Sequence, residues 1–252
     1  MTTDILTNVQ DRILTITFNR PDKKNAITAA MYGVMADAME DANKNDDIRA
    51  ILFNANGDAF TAGNDLIDFR DNPPRGPDTG VARFLRELIV ARKPLVAAVN
   101  GIAVGVGFTM LLHCDLVYMS ESAQLQAPFV DLALVPEAAS SLLLPARIGQ
   151  AKAAEIFMLG KRVSAAEADA LGIATCVFPA DQLAAGAAKA VMALSKKAPE
   201  SLRQTKQLMR GDLDVISARM LKESELFGER LLSPELGEAV MAFLQKREPD
   251  FG

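Results

Sequence analysis

Lys93-Pro-Leu-Val-Ala-Ala-Val-Asn-Gly-Ile-Ala-Val-Gly-Val-Gly107 is the stretch on which the fold class turns. Residues 94–100 form a short, almost unbroken apolar run, the pattern of a strand buried on both faces. Gly101, Gly105 and Gly107 follow, and residues 108–114 continue as an apolar helix. A strand covered on both faces that feeds a helix through a glycine turn is the repeating unit of an α/β fold. Similar units recur on either side. Residues 13–18 alternate Leu14, Ile16 and Phe18 with polar neighbours, as in a half-buried strand. Thr28 is placed to cap a helix in which Met31, Val34, Met35, Ala38, Met39 and Ala42 recur at helical steps. Residues 48–53 and 115–119 read as further buried strands, and a helix from Val81 sets Phe84, Leu85, Leu88 and Ile89 on one face. Residues 54–65, rich in Gly, Asn and Asp, read as loop throughout, and the aperiodic residues 71–80 as a mobile lid.

Beyond Ala138 the pattern is helical. A helix is expected over 151–159, and Ser164-Ala-Ala-Glu167 is a capping box that opens another. A last strand spans 175–178, and helices are expected over 181–197, 199–210, 212–232 and 234–247.

The chain has 252 residues, half of them hydrophobic, enough for one large domain or a domain with an appendage. A formal net charge of -5 without a long basic run argues against nucleic-acid binding. Residues 102–112, the longest apolar run, contain glycines and are too short to cross a bilayer. The first residues lack the basic start and apolar stretch of a signal peptide, and no GPI or prenyl pattern closes the sequence, so a soluble cytoplasmic protein is expected. Cys114 and Cys176 lack metal-ligand spacing and read as reduced core residues. His113, the only histidine, lies in an apolar helix and reads as a satisfied core residue rather than a metal ligand or triad member; no metal site is expected.

The glycines after the 94–100 strand do not match the dinucleotide fingerprint, which would need Gly at Met110. Gly160-Lys161 is followed by Arg162, so the phosphate-loop pattern is absent too. Close approach of backbone N–H groups to a ligand oxygen at a helix start fits these glycines better. Glu137 is the other candidate for chemistry. It stands alone in the uncharged run 132–146, just after Pro136, which places it at a helix N-terminus. There it either complements the helix dipole from the surface or is held among apolar groups, where its proton affinity rises and it can shuttle a proton.

Three segments, Asp58-Ala-Phe-Thr-Ala-Gly-Asn-Asp-Leu66, residues 93–107 with Cys114-Asp115, and Val135-Pro-Glu-Ala-Ala-Ser-Ser141, resemble the enoyl-CoA hydratase/isomerase (crotonase) superfamily. Residues 18–26 and 242–251 resemble it as well. The resemblance implies a spiral of ββα units over residues 1–195 and a helical trimerisation region over 196–252. It also implies an acyl-CoA substrate, a homotrimer or hexamer, and no cofactor apart from the coenzyme A that the substrate carries. By the same resemblance the backbone N–H groups of Asn64 and Val106 form an oxyanion hole. Ala62, Gly63, Asp65, Leu66, Lys24 and Lys246 would contact CoA, with Arg20 and Lys23 as further phosphate candidates. The two water-activating glutamates of the family's hydratases fall on Thr109 and Phe129, neither of which exchanges a proton at neutral pH. That departure favours the Δ3,Δ2-enoyl-CoA isomerase branch, in which Glu137 is the single acid/base and Phe129, Thr109 and Leu142 line the acyl pocket. A hydratase with a different water-activating arrangement and a non-catalytic acyl-CoA-binding homologue are the alternatives.

Overall fold

A computed structural model describes residues 3–72, 76–245 and 247–252, without the side chains of Leu66, Arg70, Asp71, Phe243 and Leu244. Among the described residues the first third of the chain forms β1 (Ile5–Gln10), β2 (Ile13–Phe18), α1 (Ala29–Lys44), β3 (Ala50–Ala55), β4 (Ala59–Thr61), α2 (Leu66–Asp71) and α3 (Gly80–Val90). The middle adds β5 (Leu95–Val99), β6 (Ile102–Val104), α4 (Val106–Thr109), β7 (Leu116–Ser120), β8 (Gln124–Gln126), α5 (Ser140–Ile148), α6 (Gln150–Met158), β9 (Val163–Ser164), α7 (Ala165–Ala170) and β10 (Cys176–Phe178). Four helices finish the chain: α8 (Leu183–Ser195), α9 (Pro199–Arg210), α10 (Leu213–Arg230) and α11 (Pro234–Gln245).

The strands make two sheets, ordered β1-β2-β3-β5-β7-β10 and β4-β6-β8-β9. Each turn of the chain gives one strand to each sheet: β3 then β4, β5 then β6, β7 then β8. This is the spiral that the resemblance implies. Within the larger sheet every pair except β1–β2 is parallel, so the inner strands are covered on both faces. The alternation of side chains assigns the faces. Ala50, Val96, Ala98 and Leu116 meet Leu183, Ala187 and Val191 of α8, whereas Ile51, Phe53, Leu95, Ala97 and Val117 join the main core on the other side. Phe18 of β2 and Phe60 of β4 cross edge to face, with ring centroids 5.2 Å apart, and so tie the two sheets together.

Thr28 caps α1 and Ser164 forms the capping box of α7, as their spacing predicts. Residues 54–65 are not loop throughout, because β4 lies inside them and pairs with β6. The apolar helix expected over 108–114 begins earlier, at Val106, and tightens to a 3-10 turn from Met110 to His113. The lid expected over 71–80 falls partly outside the described residues. Pro136 does not open a helix. α5 starts at Ser140, after Ala138 and Ala139 turn the chain with φ of 61° and 55°.

Candidate active site

The parallel pairing of β4 with β6 sets Thr61 beside Ala103. Asn64 and Val106 each lie three residues further on, so the two chains leave the sheet side by side. Gly63 allows this approach: its φ is +88°, and a Cβ there would stand 2.9 Å from Val104 O. Gly107 does the same one layer deeper, where a Cβ would meet Thr61 Cγ2 at 2.4 Å. Asn25 holds the first of these chains, donating Nδ2 to Ala59 O at 2.8 Å while its own carbonyl accepts the Thr61 hydroxyl at 2.7 Å.

Two backbone N–H groups are left over by this arrangement. Ile27 bonds to Gly63 O and Asp65 N–H, at 2.8 and 2.9 Å, so the N–H of Asn64 between them points the other way. Val106 is the first residue of α4, where a helix has no internal acceptor for its N–H. Neither N–H has a protein acceptor among the described residues. The Asn64 side chain is occupied elsewhere, its Oδ1 accepting the Tyr32 hydroxyl at 2.6 Å.

Both residues line a cleft of about 460 Å³, within the range of small-molecule sites. Its walls come from Ala62–Asn64, Val104–Val106, Phe129, Leu132, Leu134 and Glu137, with Phe69 of α2 and Phe227 of α10 meeting edge to face at 6.3 Å. Glu137 is 8% exposed, and no described residue donates a hydrogen bond to its carboxylate. Burial, followed by the charge of Glu223, raises its pKa to about 7. Of the two sequence readings of Glu137, the one held among apolar groups is therefore the observed one. The other ionisable groups lining the cleft, Asp131, Arg162 and Arg247, are exposed at its mouth.

The remaining expected site residues are placed less uniformly. Ala62 and Gly63 line the cleft with Asn64 and Val106, and Phe129 forms part of its wall. Leu66 opens α2, with its side chain outside the described set, and Lys246 also lies outside the described residues. Asp65 caps α2 by accepting the Ile67 N–H and pairs with Arg20 at 2.7 Å, so it is a structural residue of the loop. Lys24 pairs with Asp58 at 2.5 Å. Thr109, the last residue of α4, is fully buried, and Leu142 packs on Ile89 and Ile216; neither lines the cleft. Phe69, Phe227 and Arg162 are lining residues that no sequence motif marks, because they arrive from distant elements, whereas Arg247 lies in the 242–251 segment of the resemblance.

His113 is a satisfied core residue. It is 3% exposed, its Nε2 lies 2.7 Å from Ala138 O, and burial pushes its pKa down to about 3. Both cysteines are free thiols, Cys114 buried and Cys176 half-buried. No helix among the described residues is long and apolar enough to cross a membrane.

A family model described as enoyl-CoA hydratase/isomerase matches residues 8–252. Human enoyl-CoA delta isomerase 2 is 38% identical over 246 residues, which are 94% of this chain and 62% of that relative. The chain thus spans less than two thirds of that relative's length. The 2,3-dehydroadipyl-CoA hydratase of Escherichia coli K12 is 31% identical, with 98% of each chain covered. Among solved structures, an enoyl-CoA hydratase/isomerase from Pseudoalteromonas atlantica T6c is 45% identical, with a TM-score of 0.96, covering 99% of this chain and 100% of the other. Pseudomonas aeruginosa OdaA is 41% identical, with a TM-score of 0.92, over 96% and 99% of the two chains. The match runs from the first strand of the spiral to the last helix, and the chain belongs to the enoyl-CoA hydratase/isomerase (crotonase) family.

Proposed function

We propose that the protein is an acyl-CoA isomerase that converts a 3-enoyl-CoA to a 2-enoyl-CoA with Glu137 as its only acid/base. The observation that carries this reading is that Glu137 is the one buried ionisable group lining the cleft among the described residues. Its carboxylate removes a proton from C2, and the electron pair moves through the thioester carbonyl to give a dienolate. The N–H groups of Asn64 and Val106 stabilise the oxyanion, each contributing about 3 kcal/mol. The protonated Glu137 then returns the proton to C4, and the double bond settles between C2 and C3. A pKa near 7 suits both halves of this cycle, since one group must act as base and then as acid.

Hydration would need a second group to hold and activate water. Phe129 stands at one of the two matched positions and Thr109, turned toward Val106 O, at the other. A non-catalytic binding protein would gain nothing from a buried carboxylate, which disfavours folding above neutral pH. The substrate carries the coenzyme A, and no other cofactor enters the scheme. Exposed apolar side chains on the C-terminal helices, among them Leu208, Met209 and Leu221, favour assembly as a homotrimer or a hexamer.

The protein is incubated with 3-enoyl-CoA and, separately, with 2-enoyl-CoA, and the products are separated. The expected result is a 2-enoyl-CoA from the first and no 3-hydroxyacyl-CoA from the second, with Glu137→Gln slower by about 10² to 10⁴. Isomerisation by Glu137→Gln at the wild-type rate would refute the scheme, and rapid hydration would favour the hydratase.

A further inference from the structure

Isomerisation leaves a second buried carboxylate unused, and it faces the turn that carries the first. Glu223 lies in α10, is 5% exposed, and points inward at residues 139–141. Its Oε1 accepts the Ser141 N–H at 2.8 Å, and Arg219, one turn earlier, donates Nη1 to the Ser141 hydroxyl at 3.2 Å. Its Oε2 is buried and accepts no hydrogen bond from the described residues.

The turn itself is strained. Ala138 and Ala139 both have left-handed backbones, which a residue with a Cβ adopts only when its surroundings hold it there. It is held from two sides. His113 donates Nε2–H to Ala138 O, a tautomer consistent with the Arg210 Nη2 that lies 3.5 Å from Nδ1. Glu223 receives the Ser141 N–H on the other side. Between these anchors the chain has little freedom to move Glu137.

We propose that Glu223 is a positioning residue for Glu137: it clamps the 138–141 turn through the Ser141 N–H and sets a second buried carboxylate beside the turn that carries the Glu137 carboxyl. This deepens the reading of Glu137 as the acid/base and rests on it. The charges around the pair bear on how the two carboxylates act on each other. Burial raises the proton affinity of Glu223 itself, while the Ser141 hydroxyl and N–H, the Ala139 N–H and the Arg219 guanidinium favour its ionised form. Of the helices packed on α10, α5 turns Arg147 to Leu112 O, and on α3 Arg83 and Arg86 act on Glu40 and Glu87. Tyr32 of α1 is neutral, its affinity raised by burial and then by Glu137, and His113 is neutral as well. Arg219 acts on Glu223 and donates to the Ser141 hydroxyl beside it. Glu137 feels the second carboxylate uncompensated.

Glu223→Gln keeps an oxygen to accept the Ser141 N–H and removes the charge. The test follows the side-chain carboxyl carbons by ¹³C NMR in protein without substrate, with Glu137 identified by its absence from Glu137→Gln. In Glu223→Gln the Glu137 midpoint is expected to fall by about one pH unit, which raises its ionised fraction at pH 6 about fivefold. kcat/KM for a 3-enoyl-CoA at pH 6 should rise with it. Glu223→Gln is the informative variant, because Glu137 is the carboxyl that titrates against a charged partner. A Glu137 midpoint that stays put in it overturns the proposal. A protein whose midpoint shifts as expected but which isomerises nothing contradicts the isomerase reading and leaves the coupling of the two carboxylates intact.

Discussion

Lys206 of α9 and Glu223 of α10 both reach from the C-terminal helices into the spiral, and their charges are met in opposite ways. Lys206 is 6% exposed and donates to Asp115 Oδ2 and Lys93 O, each at 2.7 Å. Asp115 in turn accepts the Leu95 N–H at 2.7 Å, and Arg210 bonds Leu88 O and Ile89 O at 2.9 Å. Burial lowers the Lys206 pKa to about 8 while Asp115 beside it pulls upward. At the other place two carboxylates, Glu137 and Glu223, are buried near each other, and one oxygen has no partner. A satisfied buried pair fixes a helix to a sheet at little net gain or loss. An unsatisfied one costs stability and leaves a group able to change its charge near neutral pH. On the proposed reading the C-terminal helices serve the fold at the N-terminal ends of β5 and β7 and the chemistry at the cleft.

Three changes test that division, and the largest effect is expected at the cleft. Val106→Pro removes one N–H at the first position of α4, where proline is tolerated. It should lower kcat per folded molecule by about 10² to 10³, as read by steady-state kinetics, while calorimetry reads separately the loss of Tm from trimming a buried valine. Next comes Lys206→Met, which leaves Asp115 without its cation. It should cost about 3 kcal/mol in chemical denaturation, with kcat per folded molecule unchanged. A loss of rate there without a loss of stability would erase the contrast between the two places.

The smallest effect concerns the pH dependence of stability. The pKa of Glu137 is raised in the folded state, so its carboxyl favours folding below the ordinary value of 4.5, and that advantage is lost as pH rises through about 7. Glu137→Gln should therefore be more stable than wild type by about 3 kcal/mol at pH 8 and nearly equal to it at pH 4. Equal stability of the two proteins at both pH values would mean that the carboxylate is not desolvated.

Much of this molecule is legible in its sequence, and the parts that are not share a physical cause. Period-two and period-3.6 patterns mark β2, β3, β5, β7 and most of the helices, because each buries one side or both against the core. β4, β6 and β8 have three residues apiece, too few to show a period, and β4 is flanked by Gly and Asn that read as loop. The spiral's second sheet was for that reason visible only through the family resemblance. Glu137 stands out as a lone charge in an uncharged run, and burial makes that contrast functional. Pro136 misleads about the helix start, because two alanines accept left-handed backbones that a sequence reading reserves for glycine. Asp65 looks free to meet a ligand until Arg20 is seen to pair with it. Glu223 gives no sign in the sequence, being one acidic residue among several in a helix whose inward side only the packing reveals.

The dependence of kcat/KM on pH for a 3-enoyl-CoA tests the role of Glu137 most directly, because it reports the ionisation of the free enzyme's base. The ionised carboxylate is the form that takes the C2 proton, so kcat/KM should fall on the acid side with a midpoint near 7 and level off above it. A rate that stays flat from pH 5.5 to 8 would contradict the account, for it would mean that no group with the raised proton affinity of Glu137 starts the reaction.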